Sequence, residues 1–414
     1  MARVGARAGL ALAAGSVAVG ALAAARPVLD GVMARGERSR NPTPPMPASP
    51  VGDRALALHA TLRAADLHAD SLLWGRDLLR WGDRGHVDVP RLIEGRVALQ
   101  VLSCSVKVPR NLNIERNEDT SDDVLKIALA QRWPPRTWRS ILARALHLAA
   151  RARGFEARSG GAFRLIETRD GLAAYLADRE TNPAITAGLL SIEGATALDG
   201  DPANVEVLAD AGFRMISPAH FTDTVFGGSA HGAEQGGLTA AGREMVRRME
   251  ARGVLLDVAH ASAATIDDAL AVSTRPIVAS HTGVRGVLDN ARNLSDAHLD
   301  GIAASGGLVG IGFWPTACGG DDAAAIARSI AYAVDRVGVA HVALGSDWDG
   351  AVPVPFDAAG LVQLTDALLG GGLDEAAVRA VMGENVLRLL AATLPDPGTS
   401  EGSRRPVATP GGTA

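Results

Sequence analysis

Eight short apolar runs alternate with longer amphipathic segments along the body of this chain, and six of the eight finish at or near a residue able to hold a cation. The runs are Ala65 to Asp70, Val97 to Val106, Ala184 to Glu193, Phe213 to His220, Val254 to His260, Pro276 to His281, Gly307 to Trp314 and His341 to Asp347. Helix-like segments stand between or after them: Asp53–Ala64, Pro202–Ala211, Thr239–Arg252, Ala263–Ala271, Ser295–Ala304, Asp322–Val337, Ala358–Leu369 and Asp374–Ala391. Short apolar strands alternating with helices pair in parallel with the helices outside. Eight such units predict an α/β fold, a closed (β/α)8 TIM-type barrel. The open doubly wound sheet is the alternative, but no Gly-x-Gly-x-x-Gly follows the first run, so its dinucleotide form lacks support.

The barrel body is expected over residues 53–394, with a helical insertion after the second strand at 107–182. Within that insertion Trp138, Ile141, Leu142, Ala145, Leu146 and Ala149 recur at helical spacing, and Trp133-Pro134-Pro135 interrupts it. Residues 1–26 differ. Arg3 and Arg7 precede an uncharged stretch from Ala8 to Ala25, the pattern of a secretory signal peptide, with a weakly hydrophobic N-terminal anchor as the alternative. Export to a periplasmic or extracellular location is the expectation, with N-terminal membrane association as the alternative. Residues 27–52, rich in Pro, Ser and Arg, read as a linker, and 395–414 as a disordered tail. A net charge of -5 with no basic block in the body argues against nucleic acid as a partner. Cys104 and Cys318 are too few for a disulfide framework or a cysteine zinc site; they read as two buried thiols, a single disulfide being the alternative.

In a barrel the C-terminal strand ends converge on one mouth. His68 and Asp70 would stand there, two apart on one strand and therefore on one side. Glu193, His220, His260, His281 and Asp347 would join them. Imidazole and carboxylate together suit zinc-type cations. One cation would take His68, Asp70 and one oxygen of Glu193, and a second the other oxygen of Glu193 with His260 and His281. A shared hydroxide would complete both and attack an amide. Asp347 is placed to accept the water's proton and pass it to the leaving amine. His220 would donate to the oxyanion. Arg292, in a mouth loop, would clamp a substrate carboxylate, the alternative being a helix-end ion pair with Asp296. His231, in the Gly-rich stretch after the fourth run, reads as a mobile loop residue, with substrate contact as the alternative.

The ordered segments DLHADSL, SIEGA, ISPAH, LLDVAH, PIVASH, ARNLSD, GSDWDG and GENVLRLL resemble the membrane (renal) dipeptidase family of zinc metallopeptidases, among the amidohydrolase-like barrels. His-x-Asp on the first strand with Glu at the third points to that branch rather than to the His-x-His barrels with a carboxylated lysine. The resemblance spans about Ala64 to Leu390. It implies a metallodipeptidase with two Zn2+ bridged by Glu193, cleaving dipeptides, often with a D-residue on the C-terminal side. It implies His68, Asp70, Glu193, His260 and His281 as metal ligands, His220 and Arg292 as substrate contacts and Asp347 as the acid/base. Relatives often form homodimers. A related hydrolase acting on another amide or a lactone is the alternative. Glu193 is followed by Gly-Ala-Thr where many relatives have Gly-Gly-His, which opens the question of substrate preference.

Overall fold

A computed structural model describes residues 30–42 and 50–396. The expected signal segment at 1–26 and nearly all of the 395–414 tail lie outside the described residues. Among the described residues no helix is long and apolar enough to cross a membrane.

Nine parallel strands form one sheet: β1 Ala64–Ala69, β2 Val97–Ser105, β3 Phe163–Leu165, β4 Thr186–Glu193, β5 Phe213–Ile216, β6 Leu255–Asp257, β7 Ile277–Thr282, β8 Leu308–Ile311 and β9 Val342–Leu344. Eight of them close into a (β/α)8 barrel, because β2 pairs with β1 on one side and with β4 on the other. The closing ladder is regular from Leu99↔Ala187 to Ser105↔Glu193. β3 is the extra strand. It lies inside the insertion, pairs with the start of β4 through Phe163↔Thr186, and was not expected from the sequence. The insertion otherwise is helical, at Val124–Ala130, Ile141–Arg158 and Arg169–Thr181. Its long helix buries Ala145, Leu148, Ala149, Ala152 and Phe155, whereas Trp138, expected on the apolar stripe, precedes the helix and is 41% exposed.

Almost every strand residue is buried, as expected of a parallel sheet covered on both faces. Ala65, Leu67, Leu99, Val101, Leu189, Met215, Leu255, Val278, Leu308 and Ala343 share one cluster with Val386, Leu387 and Leu390. All eight barrel strands contribute to it, so these side chains fill the lumen and the C-terminal helix Asn385–Thr393 packs against them. The lumen is thus a packed core, and the candidate site lies at the strand ends.

One expectation needs correction. The stretch at 27–52 was read as a linker, yet residues 30–40 are helical and Glu37 is buried. The composition hid this because the segment is held by ion pairs to distant residues, which leave no local pattern. Both cysteines are buried free thiols, so no disulfide joins them.

Candidate metal centre

His68 is on β1, Glu193 closes β4 and His281 is on β7. The others stand beyond their strands: Asp70 after β1, His220 after β5, His260 after β6 and Asp347 after β9. Simple alternation does not bring them together. Leu67 packs in the lumen, and its neighbour His68 faces the centre as well. Val278 is in the lumen and His281, three residues on, reaches the centre too. Register irregularities between Asp66 and Ala69 and between Ala279 and Thr282 re-aim these two strands. The expected His-x-Asp geometry is likewise replaced. The strand stops at Ala69, and Asp70 turns inward as the residue before a short 3-10 turn at Ser71–Leu73. His260 (φ 62) and Asp347 (φ 60) adopt left-handed backbone. Each such residue costs about 1–3 kcal/mol, a strain that persists only where surrounding contacts fix it.

The side chains converge on Glu193. Its Oε1 lies 3.2 Å from His260 Nε2, 3.4 Å from His281 Nε2 and 3.6 Å from His68 Nε2, and its Oε2 lies 3.3 Å from His220 Nε2. His68 Nε2 is 3.7 Å from Asp70 Oδ2 and 3.9 Å from Asp347 Oδ1. Among the described residues, three groups could each hold an ion: His68, Asp70 and Asp347; Glu193, His220 and His260; His68, Glu193 and His281. Asp347 and His220, assigned from the sequence to proton transfer and substrate contact, therefore also stand within reach of a cation.

The chemistry of this donor set fits metal ions. His68 Nε2, Asp70 Oδ1 and Glu193 Oε2 are buried and make no hydrogen bond. Leaving such atoms unsatisfied costs about 1–3 kcal/mol each, more for charged groups, and a cation is what three converging lone-pair donors accept. Burial, then the Asp70 carboxylate, pushes Glu193 well above the usual carboxylate range. Burial opposes charge on His68, but Glu193, Asp70 and Asp347 outweigh it and raise the imidazole to about 10. Burial first, reinforced by His68 or Arg292, holds His220, His260 and His281 well below the ordinary histidine value, neutral and ready to donate a lone pair. Asp347 is pushed up to about 7 by burial, with Asp70 adding to the effect and His68 and Arg292 opposing it.

Supporting residues that the motifs did not single out fix the ligands. Asp257 accepts from Ser280 Oγ at 2.6 Å and from the Ser280 and Ala259 amides, both at 2.9 Å. Ser280 Oγ stands 2.9 Å from His281 Nδ1, orienting that ring. Asp66 receives Gln100 Nε2 at 2.6 Å, the Ser346 amide at 2.7 Å and Ser346 Oγ at 2.8 Å, tying β1 to the loop that bears Asp347. The available signal was a lone carboxylate inside an apolar strand, which must find partners.

Arg292 is buried and forms no ion pair among the described residues; its Nη2 donates to the His281 carbonyl at 2.6 Å and its guanidinium lies 5.3 Å from the Trp314 ring centre. Asp296, the alternative partner, binds Tyr332 Oη and Arg336 instead. His231 is not a mobile loop residue. It is fully buried, its Nδ1 is 2.6 Å from the Ile114 carbonyl, and its ring packs on Phe221 and His260. Gly194 (φ 94) is required where it stands, since a Cβ there would meet His220 Cβ at 3.1 Å.

A family model described as membrane dipeptidase (peptidase family M19) matches residues 52–395. A Klebsiella pneumoniae protein from the pqqA 5' region is 33% identical over 250 residues, 56% of this chain and 90% of its own length. Dipeptidase tcpJ of Claviceps purpurea is 27% identical over 318 residues, 74% of this chain and 69% of its own. A metallopeptidase from Rhodobacter sphaeroides, solved with a phosphinate mimic of the dipeptide L-Ala-D-Ala, superposes with a TM-score of 0.66 at 28% identity, covering 80% of this chain and 99% of that one.

Proposed function

Because this chain belongs to the membrane dipeptidase family and is a metallodipeptidase of that family, we propose that it hydrolyses dipeptides at a binuclear zinc centre, accepting a D-residue on the C-terminal side. One observation carries the reading: Glu193 stands buried among His68, His220, His260 and His281, with its Oε2 making no hydrogen bond. Its two oxygens suit a bridge: His68 and Asp70 would hold one ion, and His260 and His281 the other. Ions held there would supply an activated water and polarise the scissile carbonyl.

The protein's own residues do the rest. Asp347, raised to about 7, is poised to accept a proton near neutral pH and return it to the leaving amine. His220, held neutral by burial, donates a hydrogen bond to the developing oxyanion. Arg292, buried and without a carboxylate partner among the described residues, pairs with the substrate's C-terminal carboxylate. Acceptance of a D-residue is supported by the L-Ala-D-Ala mimic bound to the Rhodobacter sphaeroides relative. Arg3, Arg7 and the uncharged Ala8–Ala25 stretch support export, with membrane association through that stretch as the alternative to its cleavage. Homodimer formation is supported by the resemblance alone.

The test is metal analysis joined to a panel of L,L- and L,D-dipeptides, lactones and cyclic amides. Stoichiometric zinc and chelator-sensitive dipeptide hydrolysis are expected. Turnover confined to lactones or cyclic amides would contradict the substrate class.

A further inference from the structure

The helix at residues 30–40 lies outside the family-matched span of 52–395, yet it sends a buried carboxylate to Arg76 and Arg84 in the segment that follows β1. Glu37 is 2% exposed. Its Oε2 accepts from Arg84 Nε at 2.8 Å, and its Oε1 stands 2.9 Å from Arg76 Nε, a contact that is ionic rather than a formed hydrogen bond. The far end of Arg76 donates through Nη2 to Asp349 Oδ2. Asp349 is wholly buried and uses every polar atom. Its carboxylate also accepts from Ser71 Oγ at 2.6 Å and from the His86 amide at 2.7 Å. Its own amide donates to His86 Nδ1 at 3.0 Å, and its carbonyl accepts from Trp74 Nε1 at 2.7 Å.

The loop held in this way is the one that carries Asp347. Asp347, Asp349 and Ala351 all have positive φ, at 60, 64 and 61. Three left-handed non-glycine residues in five positions are costly, and outside contacts must hold them. The end of the N-terminal helix supplies a second set. Asn41 Oδ1 accepts from the Ala351 amide at 2.8 Å. His86 Nδ1 accepts from Asp349, so its Nε2 carries the proton and donates to the Pro42 carbonyl at 2.9 Å.

We propose that residues 30–42 form a clamp on the 347–351 loop, with Glu37 a positioning residue that acts through Arg76 and Asp349 to aim the Asp347 carboxylate. The proposal rests on the role given to Asp347 above. It makes an appendage outside the family's shared barrel a working part of the centre.

Glu37→Gln keeps the shape and removes the charge. In the full chain its kcat on L-Ala-D-Ala is expected to fall about tenfold with KM within about twofold, the scale of an outer-shell loss. Amide hydrogen exchange at residues 347–351 should quicken by about tenfold, and Glu37→Asp should restore part of both. Arg38→Ala, on the same helix as Glu37, removes an exposed ion pair to Asp83 and should change neither. Asn41→Ala, which removes the bond to the Ala351 amide, tests the other end and should quicken exchange at Ala351. Wild-type kcat and exchange in Glu37→Gln, or equal losses in Arg38→Ala, would overturn the clamp. Faster exchange in Glu37→Gln together with an active Asp347→Asn would instead uphold the clamp and overturn the role of Asp347.

Discussion

Asp347 and Gly350 are packed so closely that a Cβ on Gly350 would overlap Asp347 Oδ1. The carboxylate therefore occupies the volume that any side chain at 350 would need. Gly350→Ala is expected to displace Asp347 and lower kcat by about 10- to 100-fold, the range seen when a residue that orients a metal site is lost. The barrel should survive, because the contact is at the mouth. Steady-state kinetics with circular dichroism checks this; a folded Gly350→Ala variant with wild-type kcat would contradict it.

Arg292→Ala should raise KM about 10- to 100-fold for dipeptides with a free C-terminal carboxylate, corresponding to about 1.5–3 kcal/mol for a charge-assisted hydrogen bond. Amidated dipeptides should show no such change. Metal content serves as the control, because Arg292 also donates to the His281 carbonyl. An equal KM effect on both substrate series would contradict the clamp.

Metal uptake should release protons. In the metal-free protein His68, raised to about 10 against burial by Glu193, Asp70 and Asp347, carries a proton that a cation must displace, while burial holds His220, His260 and His281 well below the ordinary histidine value. Metal and proton compete, so apparent affinity should rise with pH by about tenfold per unit for each proton displaced. Calorimetry of zinc binding in buffers of different ionisation enthalpy measures the count. Uptake with no proton released would contradict it.

His59 predicts an acid sensitivity far from the centre. Burial, with Arg96 adding, lowers it to about 4, while its ring nitrogens meet Thr365 Oγ1 at 2.8 Å and the Gly95 carbonyl at 3.1 Å. Folding disfavours its proton, so the stability it contributes is complete above pH 6.5 and declines as pH falls from 6.5 toward 4. By pH 5 the loss is about 2 kcal/mol. Chemical unfolding of wild type and His59→Gln at pH 7 and pH 5 should show the gap between them move by that amount in the variant's favour; an unchanged gap would contradict the assignment.

The barrel was legible because parallel strands are buried on both faces and so read as apolar runs, with His68, Glu193 and His281 at strand positions. The positions of Asp70, His260 and Asp347 were less legible. They lie past the strand ends, and two depend on left-handed backbone fixed by contacts distant in sequence. Asp66 and Asp257 sat in plain sight inside the first and fifth runs, yet their partners, Ser346 and Ser280, come from other strands or loops. Glu37 was hidden most fully, since an ion pair to Arg76 and Arg84 leaves no trace in a stretch whose composition reads as a linker.

If the Glu193 carboxylate serves two cations at once, its loss should empty both sites, and metal stoichiometry in Glu193→Gln is the deciding measurement. Two zinc ions per chain are expected in the wild type and neither in the variant, with the fold retained. A folded Glu193→Gln protein that keeps two ions per chain would contradict the bridge.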